Sequence, residues 1–241
     1  MADTVTDVRP LSPVELVLVF GIPGLLMWVT GHVAIPLLDG LGAFPIEVSW
    51  FLSGGLLVLV PMFIVAPRLA RRDLVDRTRA ARLGRLRIRP MTAADWAWAG
   101  GALVVILSST MGLVEIGKHI PGFDPAPPFL DDLPLHRETA WILAAWLPFF
   151  FFNIMGEELW WRGYVLPRQE GLTGRATWLV HGLLWALFHV GLGWNLVFLS
   201  LPIFVVLPFV VQRRRNTTVG IVIHGVLGAF GFLSLASGMI H

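Results

Sequence analysis

The chain has 241 residues, of which 56% are hydrophobic and only 14% are charged, and its formal net charge is +2 at pH 7. Soluble domains carry about 25% charged residues, so this composition, with a mean hydropathy of +0.73, indicates an integral membrane protein. The chain has no cysteine, which excludes disulfides and thiolate chemistry. Its basic residues are mostly clustered arginines between apolar stretches, a pattern that favours a role in membrane topology over nucleic-acid binding.

Seven apolar stretches are candidates for helices that cross the roughly 30 Å hydrocarbon core of a bilayer. They are, in chain order, residues 14–38, 48–66, 96–116, 139–158, 175–194, 196–211 and 219–239. Only Gly193-Trp194-Asn195 separates the fifth from the sixth, so a re-entrant hairpin there is an alternative. The sequence predicts an all-α, polytopic membrane bundle of about seven transmembrane helices, formed as one domain by residues 1–241.

The arginine clusters set the expected orientation of the bundle. Nine arginines lie between residues 68 and 89, and others follow at Arg168, Arg175 and Arg213-Arg214-Arg215. All of them fall on the cytoplasmic side if the N-terminus is inside, as the positive-inside rule favours. The loop at residues 117–138 is mildly acidic and rich in proline, as expected outside. We therefore expect a multi-pass protein of the cell membrane with its N-terminus inside.

Two adjacent carboxylates, Glu157 and Glu158, follow an apolar run that carries no charge. An ionised side chain at membrane depth is costly unless it is paired or hydrated, so it marks a candidate functional site. Glu158 and Arg162 are four residues apart on one helical face and are expected to pair, which leaves Glu157 without a local counter-ion. A neutralised acid beside a spare one suits a general base. The alternative is an interfacial charge network that fixes helix depth.

Histidines occur in two later apolar stretches. His181, Trp185 and His189 share one face of the fifth stretch, and His224 lies in the seventh. A buried carboxylate with a neighbouring imidazole can activate water, and a further histidine can donate to an oxyanion. Glu157, His189 and His224 would equally supply three ligands of a zinc ion. We interpret His181 as structural.

The same residues resemble the CAAX protease and bacteriocin-processing (CPBP, or Abi) family of intramembrane endopeptidases. The family's first motif, E-E-x-x-x-R, is similar to Glu157-Glu158 with Arg162, and the second, F-x-x-x-H, is similar to Trp185 through His189 with tryptophan in place of phenylalanine. The third, H-x-x-x-N, is half present, because Gly228 stands at the asparagine position after His224. The resemblance covers about residues 139–231.

The resemblance implies an endopeptidase that hydrolyses a peptide bond near the cytoplasmic membrane face. It makes Glu157 the base that activates water, with help from His189, and it places His224 at the oxyanion and Arg162 against Glu158. It implies no required cofactor, with zinc as the alternative. The expected partners are a membrane-associated peptide or protein substrate and the lipid bilayer, without nucleic acid.

Two departures from the family pattern leave other functions open. Gly228 removes one oxyanion donor, which Asn153 or Asn195 could replace, and Trp185 is a further candidate substrate residue. The same departures allow a non-proteolytic membrane binding or scaffold protein that keeps the fold.

A third alternative is a proton-coupled transporter, which needs acidic or polar residues in the outer half as well. Only Glu47 and Glu115 come near that region. The Trp160-Trp161 pair is interpreted first as an interfacial anchor and second as a wall for substrate.

Overall fold

The computed structural model describes residues 8–124, 129–130 and 133–239, and every regular element in these ranges is helical. The all-α prediction is therefore confirmed for the described chain. Within the predicted external loop, residues 125–128 and 131–132 lie outside the described residues, as do residues 1–7 and 240–241 at the two ends.

Ten helices follow one another along the described part of the chain. They are α1 (Pro13–Gly40), α2 (Ile46–Arg72), α3 (Arg79–Arg85), α4 (Ala93–Gly117), α5 (Ile142–Glu157), α6 (Leu166–Thr173), α7 (Thr177–His189), α8 (Trp194–Leu199), α9 (Leu201–Arg214) and α10 (Thr217–Ala236). A π-helical segment, Glu158–Val165, joins α5 to α6. Side chains cap the first turns of two helices. Ser12 and Glu15 form a capping box at α1, and Thr92 and Asp95 form one at α4.

Five helical stretches of the described chain are long and apolar enough to cross a membrane. They are Pro13–Gly40, Ile46–Arg72, Ala93–Gly117, Ile142–Leu192 and Thr217–Ala236. These stretches support a multi-pass membrane protein. Helices occur at each of the seven predicted places, because Ile142–Leu192 contains two of them and α9 lies at the sixth. The count of seven crossings and the inside N-terminus stay predictions.

The long stretch Ile142–Leu192 turns back on itself near Gly174, whose backbone has φ of +58°. Residues 28 positions apart would lie about 42 Å from each other on one straight helix, yet the side chains of Glu157 and Trp185 are hydrogen-bonded at 2.6 Å. Gln169 and His181, nearer the turn, also meet, at 2.8 Å. The stretch is therefore a hairpin that lays α7 against α6 and the π segment.

The π segment lies at the centre of the bundle. It packs against α2 and α10, while α7 packs between α1 and α9. All eight of its residues are buried. Gly156, just before it, allows α5 to approach α2 closely, since a Cβ there would lie 2.5 Å from the carbonyl oxygen of Leu59. The charged residues of this segment are thus enclosed by protein rather than by lipid.

Ion pairs hold the basic loop between α2 and α4 against the end of the bundle where α6 lies. Arg85 is buried and bonds to Asp73 through Nε and Nη2 at 2.9 and 2.6 Å. Burial lowers the pKa of Arg85, and the Asp73 carboxylate opposes that shift. Arg87 makes a bidentate pair with Glu170 of α6 at 2.8 and 2.5 Å. The Arg85 pair closes the loop on itself, and the Arg87 pair ties the loop to α6, the helix that follows the π segment.

Candidate active site

Glu157 ends α5 and Glu158 begins the π segment, and the two side chains are only 1% and 0% exposed. The wider π turn is closed by a bond from the N–H of Leu166 to the carbonyl of Trp161, five residues earlier. Such turns are rare and recur at functional sites. Here the turn places the two acids, Trp161 and Arg162 in the middle of the packed bundle.

Three N–H groups point at the Glu157 carboxylate. The indole N–H of Trp185 donates to Oε2 at 2.6 Å and that of Trp161 donates to the same oxygen at 3.2 Å. The amide of Asn153, one turn earlier on α5, donates to Oε1 at 3.2 Å. Hydrogen bonds of this kind stabilise the ionised form of a buried carboxylate. They supply part of the compensation that a counter-ion would otherwise give.

His189 faces the other side of Glu157. Its Nδ1 lies 2.9 Å from the carbonyl oxygen of Trp185, and its Nε2 lies 4.0 Å from Oε1 of Glu157. A carbonyl only accepts hydrogen bonds, so Nδ1 carries a proton and the neutral ring presents an unprotonated Nε2 toward the carboxylate. Phe204 and Phe188 pack against the ring with centroids 4.9 and 4.8 Å away. The imidazole is thereby fixed in one orientation.

Glu158 is the acid with a counter-ion, as the spacing predicted. Its Oε1 lies 3.1 Å from Nη1 of Arg162 and 2.9 Å from Nδ1 of His224. On the other side, α10 approaches so closely at Gly220 that a Cβ there would lie 2.4 Å from Oε2. Glu158 therefore links the π segment to α10 and fixes the position of His224.

Arg162 also contacts the second motif. Its guanidinium carbon lies 3.6 Å from the centre of the Trp185 ring, within the range of a cation–π interaction. The same indole thus donates a hydrogen bond to Glu157 and makes a cation–π contact with Arg162, the residue that neutralises Glu158. Arg162 is fully buried, and its Nε and Nη2 make no hydrogen bond with any described residue. Ordered water is the usual partner of such groups.

The structure brings together nearly all of the residues that the sequence singled out. Those within one connected set of contacts are Asn153, Glu157, Glu158, Arg162, Trp185, His189 and His224. Asn195 has no contact with either acid in the described chain. His181 is fully buried, and its Nδ1 is hydrogen-bonded to Gln169 at 2.8 Å rather than to either acid.

The interpretation of Trp160-Trp161 as an interfacial anchor was wrong. Both rings are buried, at 8% and 0% exposure, and the indole of Trp160 donates to the carbonyl of Val19 at 3.2 Å. Trp161 is a site residue that the sequence reasoning missed. Its position four residues after Glu157, on the same helical face, was the available signal.

The position of the missing asparagine faces two side chains of the opposite helix. A Cβ at Gly228 would lie 3.3 Å from Cε2 of Phe150 and 3.5 Å from Cδ1 of Ile154. A side chain at this position would need Phe150 to move by a few tenths of an ångström, whereas its distance to Ile154 is an ordinary contact. Asn153, on the same helix as Phe150, already donates to Glu157, so an amide is present beside the carboxylate although it comes from a different helix.

The donor set does not fit a resident zinc ion. Among the residues that the structure describes, no group of three or more His, Asp or Glu side chains is arranged to hold a metal. Both carboxylate oxygens of Glu157 already accept N–H groups, Oε2 from two indoles and Oε1 from the amide of Asn153.

The described residues thus place a carboxylate without an arginine or lysine partner beside an imidazole, and helices enclose both groups. Residues 139–230 match the family model described as type II CAAX prenyl endopeptidase Rce1-like. The similarity to the CPBP family of membrane proteases is therefore carried by this part of the chain, which is less than half of its length. α1 to α4 lie outside the match. Neither the curated proteins nor the solved structures yield a match to this chain.

Proposed function

We propose that the protein is an intramembrane endopeptidase in which Glu157 activates a water molecule with the help of His189. The observation that carries the proposal is the pair of facing atoms, Oε1 of Glu157 and Nε2 of His189, 4.0 Å apart. The family match supports proteolysis as the reaction class. The buried position of the acid supports a site shielded from bulk water.

The separation of the two atoms suits one shared water. A water placed at about 2.8 Å from each would donate one proton to Oε1 of Glu157 and the other to Nε2 of His189. Its lone pairs would then point away from both side chains, toward a bound carbonyl carbon. The backbone carbonyl of Trp185 accepts from Nδ1–H of His189. The proton therefore stays on Nδ1, and Nε2 is free to accept from the water.

Peptide hydrolysis follows in two steps. The water oxygen bonds to the carbonyl carbon while one of its protons passes to Glu157, and the carbonyl electron pair becomes an oxyanion. The oxyanion then collapses, the C–N bond breaks, and the proton held by Glu157 passes to the leaving nitrogen. One water is consumed, and one carboxylic acid and one amine are released.

His224 and Asn153 are the proposed groups at the oxyanion. The Glu158 carboxylate accepts from the Nδ1–H of His224, so the ring donates to the oxyanion through Nε2–H in its imidazolium form. Asn153 uses one amide proton on Glu157 and has a second one to donate. Removing one oxyanion donor costs a typical enzyme about 2.7–4 kcal/mol, so the residue that replaces the family asparagine is a strong determinant of rate.

The test is cleavage of a library of membrane-spanning peptides by the purified protein in detergent. Glu157→Gln keeps the size of the side chain and removes the base, and we expect turnover to fall by about 10²–10⁴-fold. Glu115→Gln is the matched control, since Glu115 is 65% exposed and, among the described residues, pairs with Lys118 alone. Equal cleavage by the parent and Glu157→Gln would remove Glu157 from its proposed role.

A second candidate is a non-proteolytic membrane binding protein that keeps the family fold. The departure at Gly228 favours it, because a Cβ at that position would already lie 3.3 Å from Cε2 of Phe150, closer than an ordinary contact. This candidate predicts that the parent protein cleaves no peptide. It also predicts that Glu157→Gln leaves binding of a membrane-peptide partner unchanged.

A further inference from the structure

An open pocket of about 730 Å³ lies apart from the two acids, where the turn between α6 and α7 meets the last turn of α9. Three arginines line it: Arg175, Arg213 and Arg215. It is at the end of the bundle that holds the basic loop, since Arg89 of that loop donates to the carbonyl of Arg214 at 2.7 Å.

The positive charge of this pocket is uncompensated. Arg175, Arg213 and Arg215 are exposed, and their side chains make no ion pair or hydrogen bond with any residue that the structure describes. The acid in the wall, Glu170, is already neutralised by the bidentate pair with Arg87. The neighbouring Arg214 is used as well, on Asp95 at 2.8 Å. Three free guanidinium groups therefore surround one cavity.

The pocket is held open by a rigid frame. The side chain of Gln212 on α9 accepts from the backbone N–H of Trp178 at 2.8 Å and donates to the carbonyl of Gly174 at 3.0 Å. These two bonds fix the start of α7 to the end of α9. The arginines thus project from two helix ends whose separation is set by the fold.

One wall of the pocket leads onto the apolar face of the bundle. The rings of Trp178 and Phe209 meet edge to face at 5.5 Å, and Phe209 lies 6.2 Å from the ring of Trp98 on α4. Below them, Leu183 on α7 and Val205 on α9 are 55% and 37% exposed. Aromatic rings between a basic pocket and an exposed apolar face are typical of the membrane interface.

We propose that this pocket binds the phosphate headgroup of an anionic phospholipid, with the acyl chains along α7 and α9. Guanidinium groups bind phosphate oxygens by paired hydrogen bonds, and basic pockets between membrane helices take acidic headgroups. A free phosphate would use the same arginines. The adjoining aromatic and aliphatic face favours the lipid. The site is separate from the proposed hydrolytic centre and does not rest on it.

The test compares binding of phosphatidylglycerol, phosphatidylcholine and inorganic phosphate to the detergent-purified full chain by native mass spectrometry and thermal shift. The pocket variant is Arg175→Gln/Arg213→Gln/Arg215→Asn. Asparagine is chosen at 215 because Arg215 has φ of +48°, a conformation that asparagine tolerates. The control is Arg71→Gln/Arg72→Gln/Arg79→Gln, which removes the same charge from exposed arginines outside the pocket.

We expect phosphatidylglycerol to bind the parent and the control variant, and to bind the pocket variant about a hundredfold more weakly, at about fivefold per arginine. Phosphatidylcholine should not distinguish the three proteins. Stabilisation by inorganic phosphate equal to that by phosphatidylglycerol at the same concentration would overturn the lipid assignment. Equal losses of phosphatidylglycerol binding in the pocket and control variants would overturn the proposed site, since they would show general electrostatic attraction only.

Discussion

Trp185 donates its indole N–H to Glu157 over 2.6 Å while the guanidinium of Arg162 lies 3.6 Å above the same ring. Trp185 thus contacts both Glu157, which has no arginine partner, and Arg162, which neutralises Glu158. The family pattern has phenylalanine at this position, and the indole adds a donor that phenylalanine lacks. The substitution that departed from the motif supports the Glu157 carboxylate directly.

Replacing Trp185 with phenylalanine should therefore destabilise the protein. The ring and much of the packing remain, but the buried carboxylate loses a hydrogen bond of the kind worth about 1.5–3 kcal/mol when one partner is charged. Thermal unfolding in detergent measures the loss. Trp146→Phe is the control, because Trp146 is equally a core residue stacked between Phe150 and Phe232 and its indole makes no hydrogen bond with the described chain. Equal losses would contradict the account.

The buried ion pair predicts a non-additive effect. Arg162→Met leaves Glu158 ionised without its cation, and breaking such a pair costs about 3–5 kcal/mol. Glu158→Gln combined with Arg162→Met removes both charges, so we expect the double variant to recover most of the stability that the single variant loses. Thermal unfolding of the parent, both single variants and the double variant gives the coupling energy. Additive losses would show that the two charges do not interact.

Gly220 is expected to be intolerant of any side chain. An alanine Cβ there would lie 2.4 Å from Oε2 of Glu158, and Arg162 and His224 hold the other oxygen of that carboxylate in place. Overpacking of this kind costs about 1–3 kcal/mol. Gly225→Ala on the same helix is the control, because its Cβ would meet only Cγ2 of Ile154 at 3.9 Å. Thermal unfolding in detergent measures both variants, and we expect Gly225→Ala to leave the stability unchanged or to raise it. A Gly220→Ala variant as stable as Gly225→Ala would refute the close approach.

Metal removal should leave the reaction unchanged. Among the residues that the structure describes, no group of three or more His, Asp or Glu side chains is arranged to hold a metal, and the proposed chemistry uses only water and side chains. Turnover of a cleaved peptide is measured before and after dialysis against a chelator, with metal analysis of the dialysed protein. Loss of activity on dialysis that returns with added zinc would contradict the metal-free mechanism.

Much of the local pattern at the acids was predictable from spacing. The i, i+4 relation predicted the Glu158–Arg162 pair, and the apolar runs predicted where the helices lie. What brings His189 to Glu157 is the reversal of the chain near Gly174, and what brings His224 to Glu158 is the close approach at Gly220. Both are tertiary relationships that periodicity along one helix does not contain.

The π segment was also beyond the sequence reasoning. Glu158–Val165 has a composition that is compatible with an ordinary α-helix, and the wider turn arises where its side chains pack on α2 and α10. This packing is why Trp161 lies inside against Glu157, whereas a tryptophan at the end of an apolar run is ordinarily expected at the interface.

The central claim, one water shared by Glu157 and His189, is tested most directly by a double-mutant cycle. Peptide turnover is compared for the parent, Glu157→Gln, His189→Gln and the variant with both changes. Residues that act as a unit lose activity non-additively, so the account predicts that the double variant is no slower than Glu157→Gln alone. Losses that multiply, with the double variant slower by the product of the two single effects, would contradict it.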